Sequence, residues 1–119
     1  MMVPRGHHII GEVFADPEVL DDLEFIREVL LEATGIAGLN VLDVKFHKFE
    51  PVGVSGIILI SESHVAIHTW PEDGYAAIDI FTCGDVEKCW EAYRHIISRM
   101  NVKHHIEMEI KRGLIEDEK

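Results

Sequence analysis

From Leu42 to Thr82 every apolar run is short and strand-like, and each is parted from the next by a turn too short to hold a helix. Leu42, Val44 and Phe46 alternate with Asp43, Lys45 and His47, the period-two signature of a strand with one buried face. Pro51 and Gly53 then mark a turn. Val54 to Ile60 is apolar and β-branched, and His64 to Trp70 follows almost at once. Pro71-Glu72-Asp73-Gly74 is a strong turn signal, and beyond it Tyr75 to Thr82 resumes the strand pattern, so these two runs form a hairpin. Strands joined this closely must run antiparallel, because a parallel crossover takes a dozen or more residues.

Only two segments have helical period. Asp16 offers an N-cap and Pro17 a first helical position, after which Val19, Leu20, Leu23, Ile26, Val29, Leu30 and Ala33 line one face. Gly35 is expected to end that helix. Asp85 caps the second, whose stripe is Val86, Cys89, Trp90, Tyr93, Ile96, Ile97 and Met100. His7 to Phe14 reads as a first strand and Lys103 to Lys111 as a last one, with a charged tail from Gly113 expected to fray. The order is strand, helix, four strands, helix, strand. It predicts an α/β (α+β) two-layer sandwich, an antiparallel-rich sheet covered by two helices on one face. No linker divides residues 1–119, so a single domain is expected.

The size limits what a site can be. With 119 residues, a deep cleft would consume much of the core, so a second copy supplying one wall is plausible. Acidic residues outnumber basic ones 22 to 11, for a net charge of -11. That balance argues against nucleic acid and anionic membranes and mildly favours cationic small molecules. No run approaches the roughly 20 apolar residues of a membrane helix, and the N-terminus has no signal-peptide core. Cys83 and Cys89 do not make a disulfide framework, so a cytoplasmic location with reduced thiols is expected.

Chemistry concentrates in Ser61-Glu62-Ser63-His64-Val65-Ala66-Ile67-His68-Thr69-Trp70-Pro71-Glu72. Two serines, two histidines and two carboxylates in a strand-like region need a reason, since buried polar groups are costly unless satisfied. His64 and His68 on a strand lie ~13 Å apart, too far for one metal ion. The pairs His7-His8 and His104-His105 point to opposite faces of their strands, so no metal is expected. Ser63 lacks the glycines of a hydrolase elbow. No lysine sits in a recognisable pyridoxal phosphate box.

At these residues the chain resembles the prokaryotic S-adenosylmethionine decarboxylase proenzymes. The likeness covers Ile60 to His64, Ile67 to Glu72, Gly74-Tyr75-Ala76-Ala77 and Phe81-Thr82-Cys83-Gly84. It also takes in Gly6-x-His8, Phe46-His47 through Phe49, and Gly53-Val54-Ser55-Gly56. One departure is His7, where family members tend to carry Arg or Lys. The resemblance implies a pyruvoyl enzyme made by autocatalytic serinolysis at Glu62-Ser63, leaving chains 1–62 and 63–119. Ser63 supplies the pyruvoyl group, His68 is the processing base, Ser55 assists processing and Cys83 is the proton donor. Phe49 and His68 stack on adenine, and Glu72 binds the ribose. The pyruvoyl ketone forms a Schiff base with S-adenosylmethionine and drains electrons as carbon dioxide leaves. The product, S-adenosylmethioninamine, feeds spermidine biosynthesis. In the family each site combines both protomers of a homodimer, (αβ)2.

Taken alone, each of these residues has an ordinary role. An isolated His68 is a hydrogen-bonded sheet histidine, Cys83 a small strand-end hydrophobe and Glu72 an exposed turn carboxylate. Phe46 and Trp70 read as core. Two other functions fit the same scaffold: a pyruvoyl-dependent arginine decarboxylase, and an unprocessed, non-enzymatic ligand-binding protein.

Overall fold

The computed structural model describes residues 1–61 and 63–117. The strands are β1 (Met2–Val3), β2 (Gly6–Phe14), β3 (Val41–Lys48), β4 (Val54–Ile60), β5 (Ser63–Trp70), β6 (Tyr75–Thr82), β7 (His104–Arg112) and β8 (Ile115–Glu116). The helices are α1 (Pro17–Leu20), α2 (Leu23–Ile36) and α3 (Val86–Arg99), with a 3₁₀ turn at Pro71–Asp73. Six strands form one antiparallel sheet in the order β3-β4-β5-β6-β2-β7, and β1 pairs with β8. The expected two-layer sandwich is therefore present, with β5 and β6 at its centre. No helix among the described residues is long and apolar enough to cross a membrane.

Alternation places Ile9 and Val13 of β2, Val65 and Ile67 of β5, and Ile78 and Ile80 of β6 on the face beneath the helices. All six are essentially inaccessible to solvent. They pack with Ile26, Val29, Leu30 and Ala33 of α2 and Cys89, Ala92, Tyr93 and Ile96 of α3. Each fully buried isoleucine contributes about 1.5–3 kcal/mol of hydrophobic stabilisation. The opposite face carries no layer of its own. Ile57, Leu59, Ile106 and Met108 are 44%, 46%, 70% and 60% exposed there.

Four details differ from the sequence expectation. The first helical run is interrupted at Asp21-Asp22, because Asp22 caps α2 through the Phe25 amide at 3.1 Å. That helix then runs through Gly35 and stops at Gly38, whose positive φ of 68° suits glycine. Through Asp117 the tail is paired: β8 pairs with β1, and the Arg5 amide donates to Arg112 and Gly113 carbonyls. Trp70 is not core. It is 42% exposed and stacks on Tyr75 at 5.4 Å. Phe46 does pack on the core, with its ring over Gly56, where a Cβ would come within 2.2 Å of it.

Candidate active site

Ser63 opens β5 and pairs across the ladder with Ile60 at the end of β4. Glu62, the other side of the expected cleavage bond, lies outside the described residues. Ser63 shares the covered face with Val65 and Ile67 and is 6% exposed. Its hydroxyl accepts a hydrogen bond from the Cys83 amide at 3.2 Å. Cys83 follows the end of β6 and is exposed, whereas Cys89 is buried in the α3 stripe, and burial pushes the Cys89 thiol up. A cleft of about 210 Å³ beside Ser63 and Cys83 is lined also by Asn40, Ser61, Asp85 and Lys88. Asn40 brackets Ser61 by accepting its amide at 3.1 Å and donating to its hydroxyl at 3.0 Å.

A second group gathers elsewhere on β5. His68 faces the uncovered side and pairs across the sheet with Ser55, sharing a hydrogen bond at 2.8 Å between Ser55 Oγ and His68 Nδ1. Lys45, His47, Gly56, Ile57 and Ala66 complete a cleft of about 250 Å³ around them. Phe49, 45% exposed, extends from the end of β3 with its ring edge-on to His47 at 4.6 Å. Glu72 sits in the 3₁₀ turn just beyond β5, beside Asp21, Val52 and Pro71.

The fold thus sorts the predicted residues into two separate groups. Ser63 and Cys83 lie at one end of β5, with Ser63 on its covered face. Ser55, His68, Phe49 and Glu72 lie toward the other end, with His68 on the open face. Four residues of strand lie between Ser63 and His68, and the five steps from one to the other span ~16 Å. Within one chain His68 is therefore not beside Ser63. A wider concavity of about 670 Å³ along α2 contains none of these residues and has no part in the grouping.

Three features near these groups escaped sequence reasoning. Asn40 and Lys88 come to line the Ser63 cleft only through tertiary packing and have no local signature, and Asp85, read from the sequence only as a helix cap, lines it with them. Asp21, which read only as part of a helix, accepts from Gly53 and Lys48 in the β3–β4 loop. A polar row crosses the open face: Asp79 Oδ1 lies 3.0 Å from His8 Nε2, and Arg112 Nη1 lies 3.2 Å from His8 Nδ1. Arginine can only donate, so His8 Nδ1 is the acceptor and Nε2 carries the proton toward Asp79. His64 flanks this row, its ring 6.3 Å from that of His8. Burial, then the proximity of His8, hold its imidazole below the usual value of 6.5. The signal was present in Gly6-x-His8, but its partners are distant in sequence.

Among the described residues no three His, Cys, Asp or Glu side chains are grouped to hold a metal.

The sequence matches the family described as S-adenosylmethionine decarboxylase over residues 7–113. An S-adenosylmethionine decarboxylase proenzyme of Clostridium kluyveri is 46% identical over 93% of this chain and 89% of its own. Another from Caldicellulosiruptor bescii is 49% identical over 93% and 90%. The crystal structure of the adenosylmethionine decarboxylase from Aquifex aeolicus superposes with a TM-score of 0.91 at 36% identity, covering 98% of this chain and 97% of that one. Identity of this depth, over nearly the full length of both partners, shows that the chain belongs to the S-adenosylmethionine decarboxylase family.

Proposed function

We propose that this protein is a self-processing S-adenosylmethionine decarboxylase whose working group is a pyruvoyl derived from Ser63. The observation that carries this reading is the Ser63 hydroxyl, buried at the first residue of a central strand and held by the Cys83 amide. In processing, Ser63 Oγ attacks the Glu62 carbonyl carbon and the peptide C–N bond breaks as an ester forms. A base then takes the Ser63 Cα proton, and the residue 62 carboxylate leaves. The resulting dehydroalanine takes up water and loses ammonia. The pyruvoyl group supplies an electron sink for the carboxylate-bearing carbon of the substrate.

The ladder suits this chemistry. Ser63 remains paired toward β4, and β5 stays bonded to both β4 and β6, so a cut in the hairpin leaves both fragments within one sheet. In our reading Cys83 Sγ returns a proton to the substrate after carbon dioxide leaves. Phe49 and His68 bind the adenine by stacking, and Glu72 accepts from ribose hydroxyls. Ser55 orients the His68 ring through their shared hydrogen bond.

A proton acceptor must sit within about 2.6–3.2 Å of its target, directly or through one water. The ~16 Å between Ser63 and His68 of one chain exceeds that fivefold. We infer that the working enzyme is a homodimer in which each Ser63–Cys83 half-site is completed by Ser55, His68, Phe49 and Glu72 of the second copy.

The intact mass of purified protein tests processing, which should yield chains 1–62 and 63–119, the latter with a blocked start. Carbon dioxide release from carboxyl-labelled S-adenosylmethionine, with labelled arginine in parallel, tests the substrate. A persistent single chain of 119 residues that turns over neither compound refutes the proposal.

A further inference from the structure

The β3–β4 loop is held at one point by a carboxylate from another element. Asp21, at the junction of α1 and α2, accepts the Gly53 amide at 2.8 Å and the Lys48 ammonium at 3.0 Å through the same oxygen, Oδ1. Lys48 Nζ also donates to the Phe49 carbonyl at 2.9 Å, and the Phe49 amide donates to the Gly53 carbonyl at 2.8 Å. The loop is thus closed on itself around Phe49 and tied to the body through Asp21. Gly53 has φ 117°, a conformation that side-chain-bearing residues rarely adopt, and the atoms nearest a Cβ there include the Phe49 side chain at 3.7 Å. Asp21 also lines the small cleft that contains Glu72.

We infer that Asp21 is a positioning residue for the adenosyl half of the substrate: its carboxylate fixes the loop that presents Phe49 and borders the cleft of Glu72. This inference rests on the reading of Phe49 and Glu72 as adenosine-binding residues. It assigns Asp21 no contact with the reacting atoms. The Gly53 amide first, then Lys48, hold its carboxyl below the usual value of 3.8, so the clamp is charged throughout the neutral range. A ring already oriented in the free protein binds by stacking at lower cost, and the 45% exposed Phe49 ring is oriented by the His47 edge and by the backbone of its own loop. Asp21 ties that backbone to the body of the protein.

The test uses processed enzyme carrying Asp21→Asn, Asp21→Ala or Phe49→Ala. Three quantities are read: the split of kcat and KM for S-adenosylmethionine, the inhibition constant of methylthioadenosine, and amide exchange at Gly53. Asp21→Ala should raise KM and the inhibition constant roughly tenfold, the scale of one lost aromatic contact, with kcat nearly retained. Asp21→Asn, which keeps an acceptor oxygen but loses the charge, should fall between it and wild type. Gly53 exchange should quicken in both, and self-cleavage should proceed at the normal rate. If Phe49→Ala raises the inhibition constant and neither Asp21 variant does, the inference is overturned while the function stands. If Phe49→Ala leaves it unmoved, the stacking role fails and the inference fails with it. An equal fall of kcat and kcat/KM in the Asp21 variants also overturns it, since that pattern belongs to the reacting centre.

Discussion

Mixing two inactive variants gives the sharpest check on the divided site. Ser63→Ala removes the group that is converted, and His68→Ala removes the base proposed to convert it. If His68 served Ser63 of its own chain, it would have to cross ~16 Å along β5 and pass to the other sheet face. Proton transfer falls off far inside that distance. With a site built from two copies, a mixed dimer pairs the intact Ser63 and Cys83 of the His68→Ala chain with the intact His68 of the Ser63→Ala chain. Its other site lacks both groups. Random pairing of equal amounts makes about half the dimers mixed, each with one competent site, so about one quarter of the wild-type sites are restored. The assay is co-expression with distinct tags, tandem purification, and cleavage read by gel. Only the His68→Ala chain should be cut, and carbon dioxide release should follow in proportion. Purified mixed dimers that neither cleave nor turn over would falsify the shared site. Cleavage in His68→Ala homodimers would remove His68 from the processing role.

Further outcomes follow from single contacts. Cys83→Ser should still self-cleave yet lose turnover by about two orders of magnitude or more, and equal loss of both would end the division of roles. Gly11→Ala should cost about 1–3 kcal/mol in urea unfolding, because its Cβ would come within 2.5 Å of the Tyr93 ring. Tyr93→Phe should be close to neutral or stabilising, since the buried Tyr93 hydroxyl has no well-formed hydrogen bond among the described residues, and burial, then the nearby Glu107 carboxylate, push its ionisation up; a loss beyond about 2 kcal/mol would show a bond to Glu107. His64 has a depressed imidazole, so the unfolded chain binds more protons as pH falls through 6.5 toward the folded value. Stability from this source is present above 6.5 and is lost below it; melting curves of His64→Gln against pH should lack that acid-side fall.

Much of the molecule was legible in the residues. Alternation from Leu42 to His47, the apolar, β-branched runs that became β4 and β5, the Pro71–Gly74 turn and the two helical stripes are local patterns, and they foretold a two-layer antiparallel sandwich. The run from Ser61 to Glu72 stood out for its polar content, but the roles expected of Ser63, His68 and Cys83 came from its resemblance, with Phe81 to Gly84, to the S-adenosylmethionine decarboxylase proenzymes. Local pattern erred where a distant partner intervened. Asp21 and Asp22 interrupt the first helix because one is drawn to Gly53 and Lys48 while the other caps α2. Gly35 was passed over because Gly38, with its positive φ, ends that helix. The tail was held because β1 offered it a strand edge.

Sequence by itself determined which side chains alternate and which chemistry they carry, since strand period depends on neighbouring residues alone. Only the tertiary structure decided that the helices cover the side bearing Val65 and leave His68 on an open face. That choice rests on where apolar area from α2 and α3 can be buried, a property of the assembled layers. It parts Ser63 from His68 across the pleat and along the strand, and so turns a contiguous motif into two separated groups, which our proposal brings together between two copies.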